Sequence, residues 1–207
     1  DGIDFETAAC LPVSYQTAWR AVVTRGRVRP GEEVLVVGAS GGTAVAIVQT
    51  ALLAGARVHA VTSGPGKVES LRSLGAHFVY DRQVVDFSAA VYEQTGRRGV
   101  DVVFDSVGTA TWTGSVRALA PGGRLVIYGA TTGHDAQLDL RRLFWRQLEL
   151  IGTTMASHAE FEAMLRAAWA GQLHPIIDSV LPLSRAAEAH ARLEAARQFG
   201  KIVLVPG

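Results

Sequence analysis

Residues 34–56 carry no charge, and the small residues Gly38-Ala39-Ser40-Gly41-Gly42 stand in the middle of that run. A membrane span needs about twenty apolar residues in one unbroken helix, and this glycine cluster would cripple such a helix. A strand, a tight turn and a buried helix account for the same residues. Glu33-Val34-Leu35-Val36-Val37 is almost continuously apolar, as a strand covered on both faces is. Residues 43–53 are apolar nearly all round, which suits a buried helix.

The alternation continues down the chain. Further strands are expected over 57–61, 77–80, 100–104, 124–128 and 148–153, with helices over 67–74, 84–95 and 111–120. Strands alternating with helices of about ten to fifteen residues make right-handed βαβ units and a parallel sheet. The expected fold is therefore α/β: a Rossmann-type, doubly wound, six-stranded parallel sheet with flanking helical segments at both ends. Residues 1–30 form a helical segment, with a helix over 5–23 interrupted at Pro12; residues 31–155 form the sheet domain; residues 156–207 form a C-terminal segment. That last segment should hold helices over 159–170 and 184–197, an extended piece at Ile176-Ile177 and a closing strand over 201–205. Both flanks look made to pack on something besides the sheet. No internal repeat and no low-complexity linker interrupts the pattern.

Composition narrows the function classes. With 48% apolar and 19% charged residues among 207, the chain buries a sizeable core and is not intrinsically disordered. The single cysteine, Cys10, excludes a disulfide scaffold or a cysteine-rich zinc module. A net charge of +1 gives no footprint for nucleic acid or an acidic membrane face. Lys67 and Lys201 are the only lysines, which makes each worth following. The first residue is Asp1 with no basic-then-apolar leader after it, so a fragment or processed product without a secretion signal is expected, in the cytoplasm.

The turn after the first strand carries the chemistry. A pyrophosphate there needs a sharp turn, close backbone approach and tight helix–strand packing, all of which call for small residues. The following helix offers unpaired N–H groups and a partial positive charge. Against the G-x-G-x-x-G pattern, Ala39 and Ala44 replace the first and third glycines while Gly41 keeps the second. Ser40, Gly41, Gly42, Thr43 and Ala44 are the candidates, with a βα turn that holds no ligand as the plainer alternative. NAD sites place Asp or Glu about twenty residues on, for the ribose 2′-hydroxyl. No acid occurs between Glu33 and Glu69; Thr62 and Ser63 stand there instead, with Lys67 following and Arg82 past the third strand. Hydroxyls and cations suit a 2′-phosphate, so NADP(H) is preferred over NAD(H). Ordinary solvated surface charge is the other reading of Lys67 and Arg82.

These residues carry a resemblance. The chain resembles the cofactor half of the medium-chain dehydrogenase/reductase superfamily, in its zinc-type alcohol dehydrogenase and quinone oxidoreductase branches. The matching blocks are Ala8-Ala9-Cys10-Leu11-Pro12 with Thr17-Ala18-Trp19, then Pro30-Gly31-Glu32, and the turn Gly38-Ala39-Ser40-Gly41-Gly42. Gly99-Val100-Asp101-Val102-Val103-Phe104-Asp105-Ser106-Val107-Gly108, Pro121-Gly122-Gly123-Arg124 and Gly200-Lys201-Ile202-Val203-Leu204 complete them. The resemblance implies that Thr17 faces the nicotinamide, and that Ser106, Val107 and Gly108 with Gly129, Ala130 and Thr131 flank its riboside and carboxamide. It also implies that Lys201 approaches the pyrophosphate, though a charge capping the last strand explains Lys201 equally. Thr153, closing the sixth strand, completes the cofactor set.

The resemblance further implies an N-terminal catalytic barrel, toward which the segment 156–207 would pack; the 207 residues contain no such barrel. Zinc-dependent relatives place a cysteine ligand four residues before the motif threonine, where this chain has Val13; Cys10 is out of register and reads as a small buried apolar residue. His59, His77, His134, His158, His174 and His190 show no ligand spacing, so no metal is expected in this chain. The implied activity is NAD(P)-dependent hydride transfer on a small molecule, an aldehyde, ketone, quinone or enone, with the 207 residues alone inactive and no catalytic acid among them. A non-catalytic nucleotide-binding or structural module is the alternative. A methyltransferase-like fold is disfavoured by the absent ribose acid. Nucleic-acid and membrane partners are not expected, whereas a homodimer through the edge strand 148–153, starting at Leu148, is.

Overall fold

A computed structural model describes residues 3–206; residues 1, 2 and 207, which the expected end segments include, lie outside the described part. The helix α1 (Phe5–Cys10) starts where the Asp4 carboxylate accepts from the Thr7 amide at 2.7 Å. It stops at Pro12, which has no N–H to continue a helix. Val13 follows at φ 61°, ψ −62°, a strained conformation for a β-branched residue. The helix resumes as α2 (Gln16–Trp19) and runs on to Arg25 in a wider turn. Tyr15 is buried, and its hydroxyl donates to the His174 carbonyl at 2.8 Å, tying this segment to the far end of the sequence.

The sheet is built from β1 (Glu33–Val37), β2 (Arg57–Thr62), β3 (Phe78–Asp81), β4 (Val100–Asp105), β5 (Leu119–Ile127) and β6 (Glu149–Gly152). All pairs are parallel, in the order β3-β2-β1-β4-β5-β6. The order reverses between β1 and β4, so their carboxyl ends open a crevice there. Two apolar layers cover the faces. On one side α3 (Gly42–Leu53) and α4 (Pro65–Ser73) pack with α2 and α8 (His158–Trp169); on the other lie α5 (Phe87–Gln94), α6 (Trp112–Ala118) and α7 (Leu140–Trp145). The helix α3 is buried around most of its girth, as its uncharged sequence implies.

The structure departs from expectation in three places. Residues 119–120, read as the end of a helix, already pair with β4: Leu119 sits opposite Val100, and the Pro121-Gly122-Gly123 kink falls within the strand. The helix α7 was not expected. It is only six residues long, and Asp139 caps it by accepting from the Arg141 amide at 2.9 Å. Arg142 then donates to carbonyls at the end of α6 and Arg146 to the Leu119 carbonyl at the start of β5, tertiary ties that periodicity does not reveal. The extended piece at Ile176-Ile177 grows into β7 (Ile177–Pro182), which pairs in parallel with β8 (Lys201–Val205) in a separate sheet. The helix α9 (Ala186–Glu194) connects the two. Among the described residues no helix is long and apolar enough to cross a membrane.

Candidate cofactor site

Gly38 leaves β1 at φ +70°, and a Cβ there would meet Val107 Cγ2 at 2.9 Å, so only glycine lets the turn run this close to β4. The Ala39 amide donates to the Val61 carbonyl at 2.8 Å, holding the turn against β2. Gly41 caps α3 without a side-chain hydrogen bond. The first-turn amides of α3, at Gly42, Thr43 and Ala44, have no carbonyl one turn back to bond to. They form the helix N-terminus at the switch point, the arrangement that receives phosphate, with Gly200 bridged to Gly41 beside it. The Lys201 side chain lies against Gly42, where an added Cβ would meet Lys201 Cδ at 2.5 Å.

Beside this turn is a cleft of about 180 Å³. Ser40, Thr62, Ser63, Lys67, Arg82, Val107 and Thr131 are brought together on its walls. Gly38 lines it too, as do Thr111, Thr132 and Ala196, which the sequence does not point to. Among the described residues no Asp or Glu lines the cleft. Asp81, just before Arg82, turns its carboxylate to the amides of Gly64 and Gln83 at 3.1 and 3.0 Å. Among the described residues the buried Thr62 hydroxyl has no hydrogen-bond partner, and a ligand hydroxyl or phosphate oxygen can meet it. Lys67 Nζ donates to the Ala196 carbonyl; burial pushes its pKa down and nearby Asp178 opposes that shift.

The loops after β4 and β5 are locked together. Thr131 and Thr132 donate their amides to the carbonyls of Ser106 and Val107 at 3.1 and 2.8 Å. A Cβ on Gly129 would meet Ser106 Cβ at 3.0 Å, and Gly108 sits at φ +88° against the Gly133 carbonyl. Asp105 organises the first loop from beneath, accepting from the amides of Val107 and Gly108 and the hydroxyls of Thr111 and Ser115. Ala130 and Thr131 remain exposed. Thr17 and Thr153 are not on the cleft. Thr17 is buried on α2, which packs on α3; Thr153 donates its amide to the Ile127 carbonyl at 2.9 Å and has a buried hydroxyl without a partner.

The histidines do other work. His59 is fully buried, with Nε2 2.7 Å from Glu33 and Nδ1 2.9 Å from the Tyr80 hydroxyl. Cys10 is buried as well. Among the described residues no three His, Cys, Asp or Glu side chains converge as metal ligands.

A parallel sheet in this order, with a glycine-bordered helix N-terminus at its reversal, defines the dinucleotide-fold class of α/β domain. Residues 42–170 match the family described as zinc-binding dehydrogenase, and the chain belongs to that family, within the medium-chain dehydrogenase/reductase superfamily of oxidoreductases. Quinone oxidoreductase from Homo sapiens is 28% identical over 98% of this chain and 63% of its own length. The crystal structure of an NAD-dependent alcohol dehydrogenase superposes with a TM-score of 0.93 at 41% identity, over 99% of this chain and 60% of that one. A 2-octenoyl-CoA carboxylase reductase, in complex with NADP and 2-octenoyl-CoA, gives 0.92 at 29% identity, over 99% and 50%. The chain thus spans roughly half to two thirds of these relatives. The residues fit a dinucleotide: the orphaned Thr62 hydroxyl, the cradle at Gly38 and the N-terminal end of α3 all ask for one. Val13 carries no metal donor, and Cys10 is buried.

Proposed function

We propose that this chain is the NADP(H)-binding domain of an oxidoreductase moving hydride to or from a carbonyl, quinone or enone. One observation carries the cofactor preference: Lys67 and Arg82 share a cleft with Thr62 and Ser63, and among the described residues no carboxylate lines it. A ribose 2′-phosphate gains charge-assisted hydrogen bonds in such a place, whereas a 2′-hydroxyl is held by an acid. The amides of Gly42, Thr43 and Ala44 would take the pyrophosphate, with Lys201 beside them. The loops carrying Ser106, Val107 and Gly108 and Gly129, Ala130 and Thr131 would seat the nicotinamide riboside, with Thr17 and Thr153 bordering that end.

The bound nicotinamide supplies the hydride, and the protein's part is to orient it and exclude side reactions. Asp105 serves that end by holding the β4 loop rigid. The substrate classes follow the relatives' own names, an alcohol dehydrogenase, a quinone oxidoreductase and a 2-octenoyl-CoA carboxylase reductase. The reading also carries a twofold dimer through β6, the outer strand of the sheet.

Titration with NADPH and NADH, followed by cofactor fluorescence, tests the reading. NADPH should bind at least about tenfold more tightly, the worth of one charge-assisted hydrogen bond. Equal affinities, or tighter NADH, would overturn the preference; binding of neither would overturn the site.

A further inference from the structure

The C-terminal segment crosses the adenosine end of the cleft. After α9 the loop 195–200 is fixed at two points, and both are candidate cofactor residues. At one end Lys67 Nζ, from α4, donates to the Ala196 carbonyl at 2.5 Å. At the other the Gly200 amide donates to the Ser40 carbonyl at 2.9 Å, and Gly200 bridges in parallel to Gly41 on the phosphate turn. Ala196 itself lines the cleft. Its φ of +48° is a left-handed conformation uncommon for alanine, so the surroundings hold this carbonyl in place. Behind the loop, Asp178 accepts from the Phe199 amide at 3.0 Å and pairs with Arg192 at 2.7 Å. Within the loop, the Gln198 side-chain oxygen is buried without a partner.

We propose that loop 195–200 is a strap over the adenosine end of the cofactor, and that Lys67 couples its closure to a phosphate on the ribose 2′ position. This rests on the NADP(H) reading and deepens it. An ammonium has three N–H donors and no acceptor. One donor on Ala196 leaves two for phosphate oxygens, so the same side chain can hold strap and phosphate together. The carbonyl also fixes the direction of a flexible lysine before the ligand arrives, reducing what is lost on ordering it. A ribose with a free 2′-hydroxyl makes no charged contact with Lys67 and leaves the strap as it is. The strap is thus a positioning element for phosphorylated ribose, with Lys67 as its latch.

The test uses the whole chain with two fragments of the cofactor, adenosine 2′,5′-bisphosphate and 5′-AMP, read by calorimetry and by amide hydrogen exchange over 195–200. The bisphosphate should slow exchange in the strap beyond what 5′-AMP does. Lys67→Met should weaken the bisphosphate by about ten- to a hundredfold, leave 5′-AMP nearly unchanged and erase the extra protection. Lys67→Arg, which keeps the charge, should restore part of both. If the bisphosphate binds more tightly than 5′-AMP but strap exchange is the same with either, the coupling is wrong while the cofactor preference stands. If the two ligands bind equally, the preference itself fails. Full protection persisting in Lys67→Met would remove Lys67 as the latch.

Discussion

The Ser115 hydroxyl donates to the Asp105 carboxylate at 2.6 Å, both residues being buried, so α6 is stitched to the end of β4. The same carboxylate takes the Thr111 hydroxyl at 2.7 Å and the Val107 and Gly108 amides at 2.7 and 3.2 Å. One side chain therefore sets the turn that borders the switch-point crevice. Asp105→Ala leaves four donors without that acceptor and should cost about 3–5 kcal/mol, as breaking buried charged networks does. Asp105→Asn retains the shape and one acceptor and should cost less. Urea unfolding would show it; a loss below about 1 kcal/mol for the alanine variant contradicts this role.

Gly38→Ala tests the phosphate turn. The new Cβ meets a left-handed backbone, costing about 1–2 kcal/mol, and faces Val107 Cγ2 at 2.9 Å. Because Val107 lines the cleft, relief of that contact moves a wall of the site. NADPH affinity should fall about tenfold or more in parallel with a modest loss of stability, reflecting a displacement of the order of an ångström. An unchanged dissociation constant would show that the turn does not touch the cofactor.

Acid should loosen the packing of α8 on α2. Burial pushes the Glu160 carboxyl up, but the Thr24 hydroxyl, the Ser157 amide and hydroxyl and the Arg20 guanidinium together bring it down to about 2. The guanidinium is 2.7 Å away. A carboxyl lowered in the folded state gives stability that is fully present above its unfolded pKa, roughly 4.3, and lost as pH falls through the folded value. The contribution should therefore fade between about pH 5 and pH 2. Glu160→Gln should remove that part of the acid sensitivity and cost up to about 1 kcal/mol at neutral pH through the lost ion pair, the amide oxygen still serving as the capping-box acceptor. Denaturation midpoints at pH 7 and pH 4 measure it; identical acid slopes in both proteins would refute the assignment.

The sheet was legible because each strand is a short apolar run and each crossover a buried or amphipathic helix, so local pattern and tertiary place agree. Where they disagree, the sequence misleads. Leu119 and Ala120 look helical beside α6, yet pairing with β4 draws them into β5. The helix α7 has six residues and is held by Arg142 reaching to α6 and Arg146 to the start of β5, ties that have no periodicity to detect. The site divides in the same way. Thr62 and Lys67 were legible as cleft residues because hydroxyls and cations at a strand's end have a stated chemistry. Ala196 was not, since it offers a carbonyl from a left-handed alanine. Thr17 and Thr153 came from resemblance and a strand end, and the cleft does not include them.

The strand β6 ends the sheet with one side unpaired, and Leu150 on it is 42% exposed. An apolar edge of this kind invites another strand, and in a homo-oligomer the simplest partner is the same edge related by a twofold axis. Phe144 and Trp145 on α7, just before the strand in sequence, are also exposed, at 62% and 76%, with their rings 5.7 Å apart. Around it, Arg27 pairs with Glu149 and Arg25 donates to the Gly152 carbonyl at 3.2 Å, giving the edge a polar border. An apolar centre inside a polar rim is the anatomy of a protein interface. The chain should therefore sediment as a dimer at micromolar concentration. Leu150→Asp would set two like charges facing each other across the axis and bury them on pairing, which shifts the equilibrium to monomer. Its circular dichroism should be unchanged, because Leu150 already faces outward. A wild-type chain that sediments as a monomer, or a variant that remains dimeric, would place the contact elsewhere.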